Sequence, residues 1–205
     1  DRLRRFNGVE SEVLYPPVLR PEMFRASTYG DEIVSVCRIE HHKRQHLLVE
    51  ALGRTRRPVR LHLCGTSMNP AYVQALRDTA RRLGVADRVT IEERWITEEE
   101  KADRLENALA SAYLPFDEDS YGYPTIEAAH ARRCTVTVSD SGGVTEFVRD
   151  GVTGVMTDPD PAALADAFDR LHADRAFAAR LGGAAEAHVA ELRIDWDTVV
   201  EKLLA

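Results

Sequence analysis

Short apolar runs recur along this chain, each followed by a polar loop and then by a segment whose apolar residues return every three or four positions. The runs predict strands over 32–37, 59–64, 88–92, 110–115 and 134–138, and the helical patterns behind them begin near Lys43, Asn69, Thr97, Pro124 and Gly143. A sixth short strand is expected over 154–156, with helices over 160–172 and 175–190 after it. The helix starts carry suitable chemistry. Thr97 offers a side-chain cap and Glu98, Glu99 and Glu100 place acids in the first turn, where the helix dipole favours them. Pro124 falls in a first turn, where its missing N–H would have no partner anyway. Near-continuous apolar strands alternating with helices imply an α/β fold, a doubly wound parallel sheet covered on both faces.

The two ends depart from this rhythm. Residues 1–30, with Pro16, Pro17 and Pro21, read as a tail or linker, 31–190 as the ligand-binding domain and 191–205 as a C-terminal helix. The first eight residues resemble the last turns of a helix stopped by Gly8, so the chain is expected to open inside a helix, as an excised domain would. The final helix around Trp196 is amphipathic and is expected to expose an apolar stripe.

Composition narrows the function. At 205 residues, 44% hydrophobic and 30% charged, the chain has room for one large domain with a substantial core. A net charge of −7 argues against nucleic acid as a partner, so a phosphate ligand has to be met by a few placed cations. Cys37, Cys64 and Cys134 lack paired spacing and read as reduced thiols of a cytoplasmic protein, with no metal site. No run approaches the ~18 apolar residues of a membrane span.

In doubly wound sheets ligands bind beyond the carboxyl ends of the strands. That edge carries Arg38 to Lys43, Gly65-Thr66-Ser67, Glu93-Arg94-Trp95-Ile96, residues 116–122 and residues 139–143. Cations, hydroxyls, glycines and acids together suit a phosphorylated, polyhydroxylated ligand, while no G-x-G-x-x-G follows the first strand. The densest chemistry lies from Asp119 to Glu127, two carboxylates eight residues apart with Gly122 and a helix start between them. Backbone N–H groups at such a helix start suit a phosphate. Glu127, one turn in, is expected to face the same mouth, with the dipole favouring its ionised form.

Taken together, these segments resemble the C-terminal, donor-binding domain of retaining glycosyltransferases of the GT-B fold, family 4, also described as glycosyl transferases group 1. The likeness spans almost the whole chain. Val36 to Lys43 matches that family's arginine and lysine five apart after the first strand; Asp119 to Glu127 matches its E-x7-E element. Residues 141–148 followed by 150–154 match its "GG-x-x-E-x-V…DG-x-T-G" turn, and 13–18 its interdomain linker. The resemblance implies a Rossmann-like half of a two-domain enzyme. Its partners would be a nucleoside-diphosphate-sugar donor and an N-terminal acceptor domain outside this chain. Transfer would need no metal and no cofactor, the full-length enzyme would touch membranes peripherally, and the fragment alone would be inactive.

The resemblance also implies roles. Arg38 and Lys43 would neutralise the diphosphate and stabilise the leaving group. Glu127 would accept ribose hydroxyls. Asp119, with the backbone from Tyr121 through Gly122 to Tyr123, would hold the donor sugar and its phosphate. Trp95 and Ile96 would lie beside the nucleobase. Gly65, Ser141, Gly142 and Gly143 would lie close to the ligand, and Glu146 would fix its turn. Asp119 stands where the family has Glu, and the longer Glu118 beside it competes for the same part. A sugar-nucleotide epimerase and a non-catalytic nucleotide-binding module remain as alternatives.

Overall fold

The computed structural model describes residues 2–118 and 120–204. Asp119, the first acid of the sequence motif, lies outside the described residues. In chain order the elements are α1 (Arg2–Asn7), β1 (Glu32–Val36), α2 (Gln45–Leu52), β2 (Arg60–Cys64), α3 (Pro70–Arg82), β3 (Val89–Glu92), α4 (Glu98–Glu106) and β4 (Ala110–Ala112). They continue with α5 (Tyr123–His130), β5 (Thr135–Val138), α6 (Val144–Phe147), β6 (Gly154–Thr157), α7 (Pro161–Ala173), α8 (Arg175–Glu191) and α9 (Trp196–Leu204). The six strands form one parallel sheet in the order β3-β2-β1-β4-β5-β6, the doubly wound arrangement that the alternation predicts.

Strand periodicity divides the core. Ile33, Leu61 and Leu63 point to the face covered by α2, α3 and α7, whereas Val34, Val36 and Cys64 point to the face covered by α4, α5 and α6. Helix α8 crosses the end of the molecule, sending Leu181 to the first cluster and Val189 to the second. The N-terminal caps are those the sequence offers. Thr97 and Glu100 form a reciprocal capping box, and Asn69, Asp160 and Asp174 each accept a first-turn N–H.

Strand β4 is shorter than the apolar run that predicts it. Tyr113 N still donates to Val136 O at 3.1 Å, but beyond it the chain is captured by neighbouring loops. Phe116 N donates to His42 O (2.9 Å) and Asp117 N to Asp140 O (3.0 Å), so residues 113–118 lead away from the sheet into the site.

Part of 1–30 packs on the domain, while residues 3–13 are exposed. Val18 and Phe24 are buried, Tyr121 donates to Pro16 O (2.5 Å), and Trp196 Nε1 donates to Val18 O (3.2 Å). A fully buried Arg133 ties the same segment down. It donates to the carbonyls of Leu105 (3.0 Å), Thr28 (3.2 Å) and Glu106 and lies 4.0 Å from the Tyr29 ring centre. Toward the ends, Leu3, Phe6 and Val13, with Val200, Leu203 and Leu204 of α9, keep apolar side chains in solvent, as the amphipathic pattern of the last helix predicts.

Candidate functional site

The loops at the carboxyl ends of β1 to β5 meet at one edge of the sheet, and glycines allow them to approach. Gly65, directly after β2, has φ +148°, and a Cβ there would lie 2.0 Å from Cys37 O. Gly142 has φ +69°, with the Glu118 carbonyl 2.2 Å from the place a Cβ would take. Only a residue without a side chain fits either place. Gly143 N then donates to Glu118 O at 2.7 Å, joining the β4 and β5 loops.

Two cavities open on this edge. The smaller, about 160 Å³, is walled by Arg38, Gly65, Trp95, Ile96, Lys101, Tyr123 and Glu127. The larger, about 490 Å³, is walled by Glu118, Tyr121, Gly142, Gly143, Glu146 and residues of the N-terminal segment. Gly122, at φ +73°, makes the turn between Tyr121 in one cavity and Tyr123 in the other, and a Cβ on it would strike the Tyr113 ring at 2.3 Å.

The two cations named by sequence differ in setting. Arg38 is exposed on the smaller cavity, whereas Lys43 is buried. Lys43 Nζ donates to Tyr113 OH (2.8 Å) and to Glu118 Oε1, while Tyr113 OH donates to Glu118 Oε2 (2.7 Å), closing a three-membered network. Burial works against the Glu118 carboxylate, but these two donors together hold its pKa below the usual range. The same network, burial first, pushes the Tyr113 phenol far up, so it stays a donor.

Glu127 corrects an expectation. It lies on the inner side of α5 and is only 4% exposed, and burial raises its pKa instead of the dipole lowering it. Lys101 of α4 opposes that rise, donating to Glu127 Oε1 at 2.6 Å. Glu98 also holds Lys101, at 3.0 and 3.2 Å, and the two acids push the lysine's pKa up against its own burial.

The remaining predicted residues fall nearby. Trp95 is 74% exposed at the rim of the smaller cavity, not packed in the core, and Ile96 is buried beneath it. The turn carrying Trp95 is pinned by Arg94, which donates to Trp95 O (2.9 Å) and to both Glu100 oxygens. Ser141, just before the Gly142-Gly143 turn, is fully buried and its hydroxyl lies 3.5 Å from the Arg44 guanidinium. Glu146 is exposed on the larger cavity and does not fix its turn, which is held by Gly143 N on Glu118 O and by Thr145 Oγ1 on Gly142 O (2.7 Å). Helix α5 begins without a side-chain cap, and the buried Thr125 Oγ1 has no hydrogen-bond partner, leaving donors at that helix start.

Sequence reasoning missed Lys101, Tyr113 and Arg44. Arg44, at φ +55°, donates to both Asp140 oxygens (2.9 and 2.8 Å) and to the carbonyls of Leu114 and Pro115 (2.8 Å each), fixing the β1 and β4 loops together. Each has a decisive partner far along the chain, Glu127 for Lys101, Lys43 for Tyr113 and Asp140 for Arg44, although Tyr113 also reaches Glu118 and Lys101 reaches Glu98 nearby.

Comparison with known proteins bears on the family and the fold. A family model described as glycosyl transferases group 1 matches residues 25–188. A D-inositol 3-phosphate glycosyltransferase of Xylanimonas cellulosilytica is 35% identical over 96% of this chain and 48% of its own length. A GDP-mannose-dependent alpha-(1-6)-phosphatidylinositol monomannoside mannosyltransferase of Mycobacterium tuberculosis is 32% identical over 96% of this chain and 53% of its own. The chain thus spans about half the length of the curated relatives it matches. Among solved structures, Anabaena HepE in complex with UDP and glucose superposes with a TM-score of 0.78 at 21% identity, over 90% of this chain and 53% of that one.

Proposed function

Because the chain belongs to the glycosyl transferases group 1 family, we propose that it is the donor-binding half of a retaining glycosyltransferase that moves a hexose from a nucleoside-diphosphate sugar to an acceptor. The observation that carries this reading is the meeting of Arg38, Trp95 and Glu127 in one cavity beyond the strands. A flat exposed ring, an acceptor for hydroxyls and a cation are what a base, a ribose and a diphosphate require. Arg38 and the uncapped start of α5 take the diphosphate. Glu127 accepts the ribose hydroxyls, and Trp95 and Ile96 flank the base. Glu118 faces the transferred sugar across Gly142 and Gly143.

Lys43 has a conditional part in this scheme. Its charge is already balanced by Glu118. A sugar whose hydroxyls draw Glu118 away leaves Lys43 free to answer the diphosphate, where its charge stabilises the leaving nucleoside diphosphate. Transfer is then supported by fixed cations without a divalent metal. The acceptor domain is supplied by the remaining half of the length that the relatives have. No described helix is long and apolar enough to cross a membrane, and cytoplasmic carbohydrate biosynthesis with peripheral membrane contact belongs to the same reading.

Calorimetry against UDP, GDP and ADP tests it. One nucleoside diphosphate is expected to bind saturably, more tightly than its nucleoside. Absence of binding by all three would refute a working donor site.

A further inference from the structure

Beneath α4, at the outer edge of the sheet, lies a cluster that the donor site does not use. His62 and Cys64 are two residues apart on β2 and so share a face, and Glu92 of β3 stands beside Cys64 in register. His62 Nε2 is 3.2 Å from Glu92 Oε2, Cys64 Sγ is 3.7 Å from the same oxygen, and all three donor atoms lie within 4.8 Å of one another. A tetrahedral ion with bonds of about 2.0–2.3 Å separates its ligand atoms by roughly 3.3–3.8 Å. The sulfur–oxygen edge already has that length, and the nitrogen–oxygen edge is about 0.1 Å short of it.

The second observation concerns the histidine. Its side chain is 10% exposed, and Nε2 is buried 3.2 Å from Glu92 Oε2 without making a hydrogen bond to it. An orphaned buried ring nitrogen calls for an occupant. The other ring nitrogen, Nδ1, faces Glu32 Oε2 at 3.4 Å, the carboxylate–histidine pairing that orients metal-bound imidazoles.

We propose that His62, Cys64 and Glu92 form a structural site for a zinc-class divalent cation. Nitrogen, sulfur and oxygen donors together favour such an ion over magnesium or calcium. The charges agree. Arg94 and Arg104 both pair with Glu92, Arg94 also pairs with Glu100, and Glu32 adds a third carboxylate. These five groups sum to −1, and the thiolate brings the cluster to −2, which the cation cancels. Binding replaces the thiol proton of Cys64 by the metal and releases that proton to solvent. Water completes the coordination, with access through the smaller cavity, whose wall includes Cys64. The ion's work is to staple the edge strand β3 to β2 just before Gly65 and the turn that carries Trp95.

The test is a cobalt(II) titration of the purified, reduced, chelator-stripped protein. One equivalent is expected to bind with a thiolate-to-cobalt charge-transfer band and four-coordinate visible absorption, both bleached by zinc. The band should vanish in Cys64→Ser and persist in Cys37→Ser. Glu32→Gln, outside the ligand set, should weaken binding about 10–100-fold. Saturable binding absent from the unsubstituted protein, or a band that survives Cys64→Ser, would overturn the assignment. The unsubstituted protein alone decides the first point, whether or not any variant folds.

Discussion

Removing the ammonium of Lys101 while keeping its stem, as in Lys101→Met, isolates the polar pair in the wall of the smaller cavity. Glu127 Oε1 sits 2.6 Å from that ammonium, and the two side chains are 5% and 15% exposed. Methionine preserves the packing of the stem, so the change is chiefly electrostatic. Breaking a buried pair from one side costs about 3–5 kcal/mol. A second route gives a similar ceiling: the stranded carboxylate takes a proton, which for an unfolded-state pKa of about 4.3 costs about 4 kcal/mol at pH 7 and about 1 kcal/mol at pH 5. The sign follows from the direction of the shift. Burial already raises the folded-state pKa of Glu127 above its unfolded value. The ionised form therefore costs stability above that pKa, and stability returns as pH falls through it. In Lys101→Met the pKa rises further, so the stability lost at pH 7, about 3–4 kcal/mol, should shrink by roughly 3 kcal/mol near pH 5. Urea unfolding at both pH values measures this, and adding Glu127→Gln should restore most of the loss. A penalty equal at both pH values, or untouched by the second substitution, would show that the pair does not hold Glu127 as argued. Nucleoside binding offers a parallel readout, since a protonated Glu127 is a poorer acceptor: the acid limb of binding should move to higher pH in Lys101→Met.

Arg38→Ala should weaken nucleoside-diphosphate binding by about 1.5–3 kcal/mol with little change in nucleoside affinity or melting temperature. Lys43→Ala should also lower stability, because it strands Glu118 and Tyr113; calorimetry paired with thermal melts separates the two. Gly65→Ala should abolish binding and depress the melting temperature, since its methyl group would collide with Cys37 O in a backbone conformation that alanine avoids. Arg133→Leu should cost more than about 2 kcal/mol in urea unfolding, because several buried carbonyls lose their donor at once.

Alternation of apolar runs and amphipathic segments is a local property, and the parallel sheet was legible in it to within a residue or two at most boundaries. Helix starts were legible for the same reason: Thr97, Asn69 and Asp160 act on N–H groups two or three residues away. The errors fall where tertiary contacts decide. Strand β4 stops early because His42 and Asp140, from other loops, take the N–H groups of Phe116 and Asp117. Residues 1–30 read as a linker because prolines dominate their pattern, and the burial of Val18 and Phe24 within them depends on a core that only folding assembles.

The site shows the same division between list and wiring. Positions beyond strand ends are fixed by topology, so Arg38, Gly65, Trp95 and Glu127 could be named before any coordinates, and they do share one cavity. What the chain order hides is charge balance. Lys43 reads as a free cation, but Glu118 and Tyr113 claim it. Glu127 reads as an open acceptor favoured by a helix dipole, but a buried setting makes that dipole insufficient and hands the task to Lys101, 26 residues away. Glu118 and Glu127 thus each come with a cation that neutralises them at rest. A ligand bringing both phosphates and hydroxyls can exchange with both members of such pairs, the acids turning to hydroxyls as the cations turn to phosphate. A bare diphosphate engages only half of that exchange. Nucleotide-sugar should accordingly gain more from the Lys43–Glu118 network than nucleoside diphosphate does. Glu118→Gln, titrated against both ligands, should narrow the gap between them, and a gap left unchanged would show that this network only braces the fold.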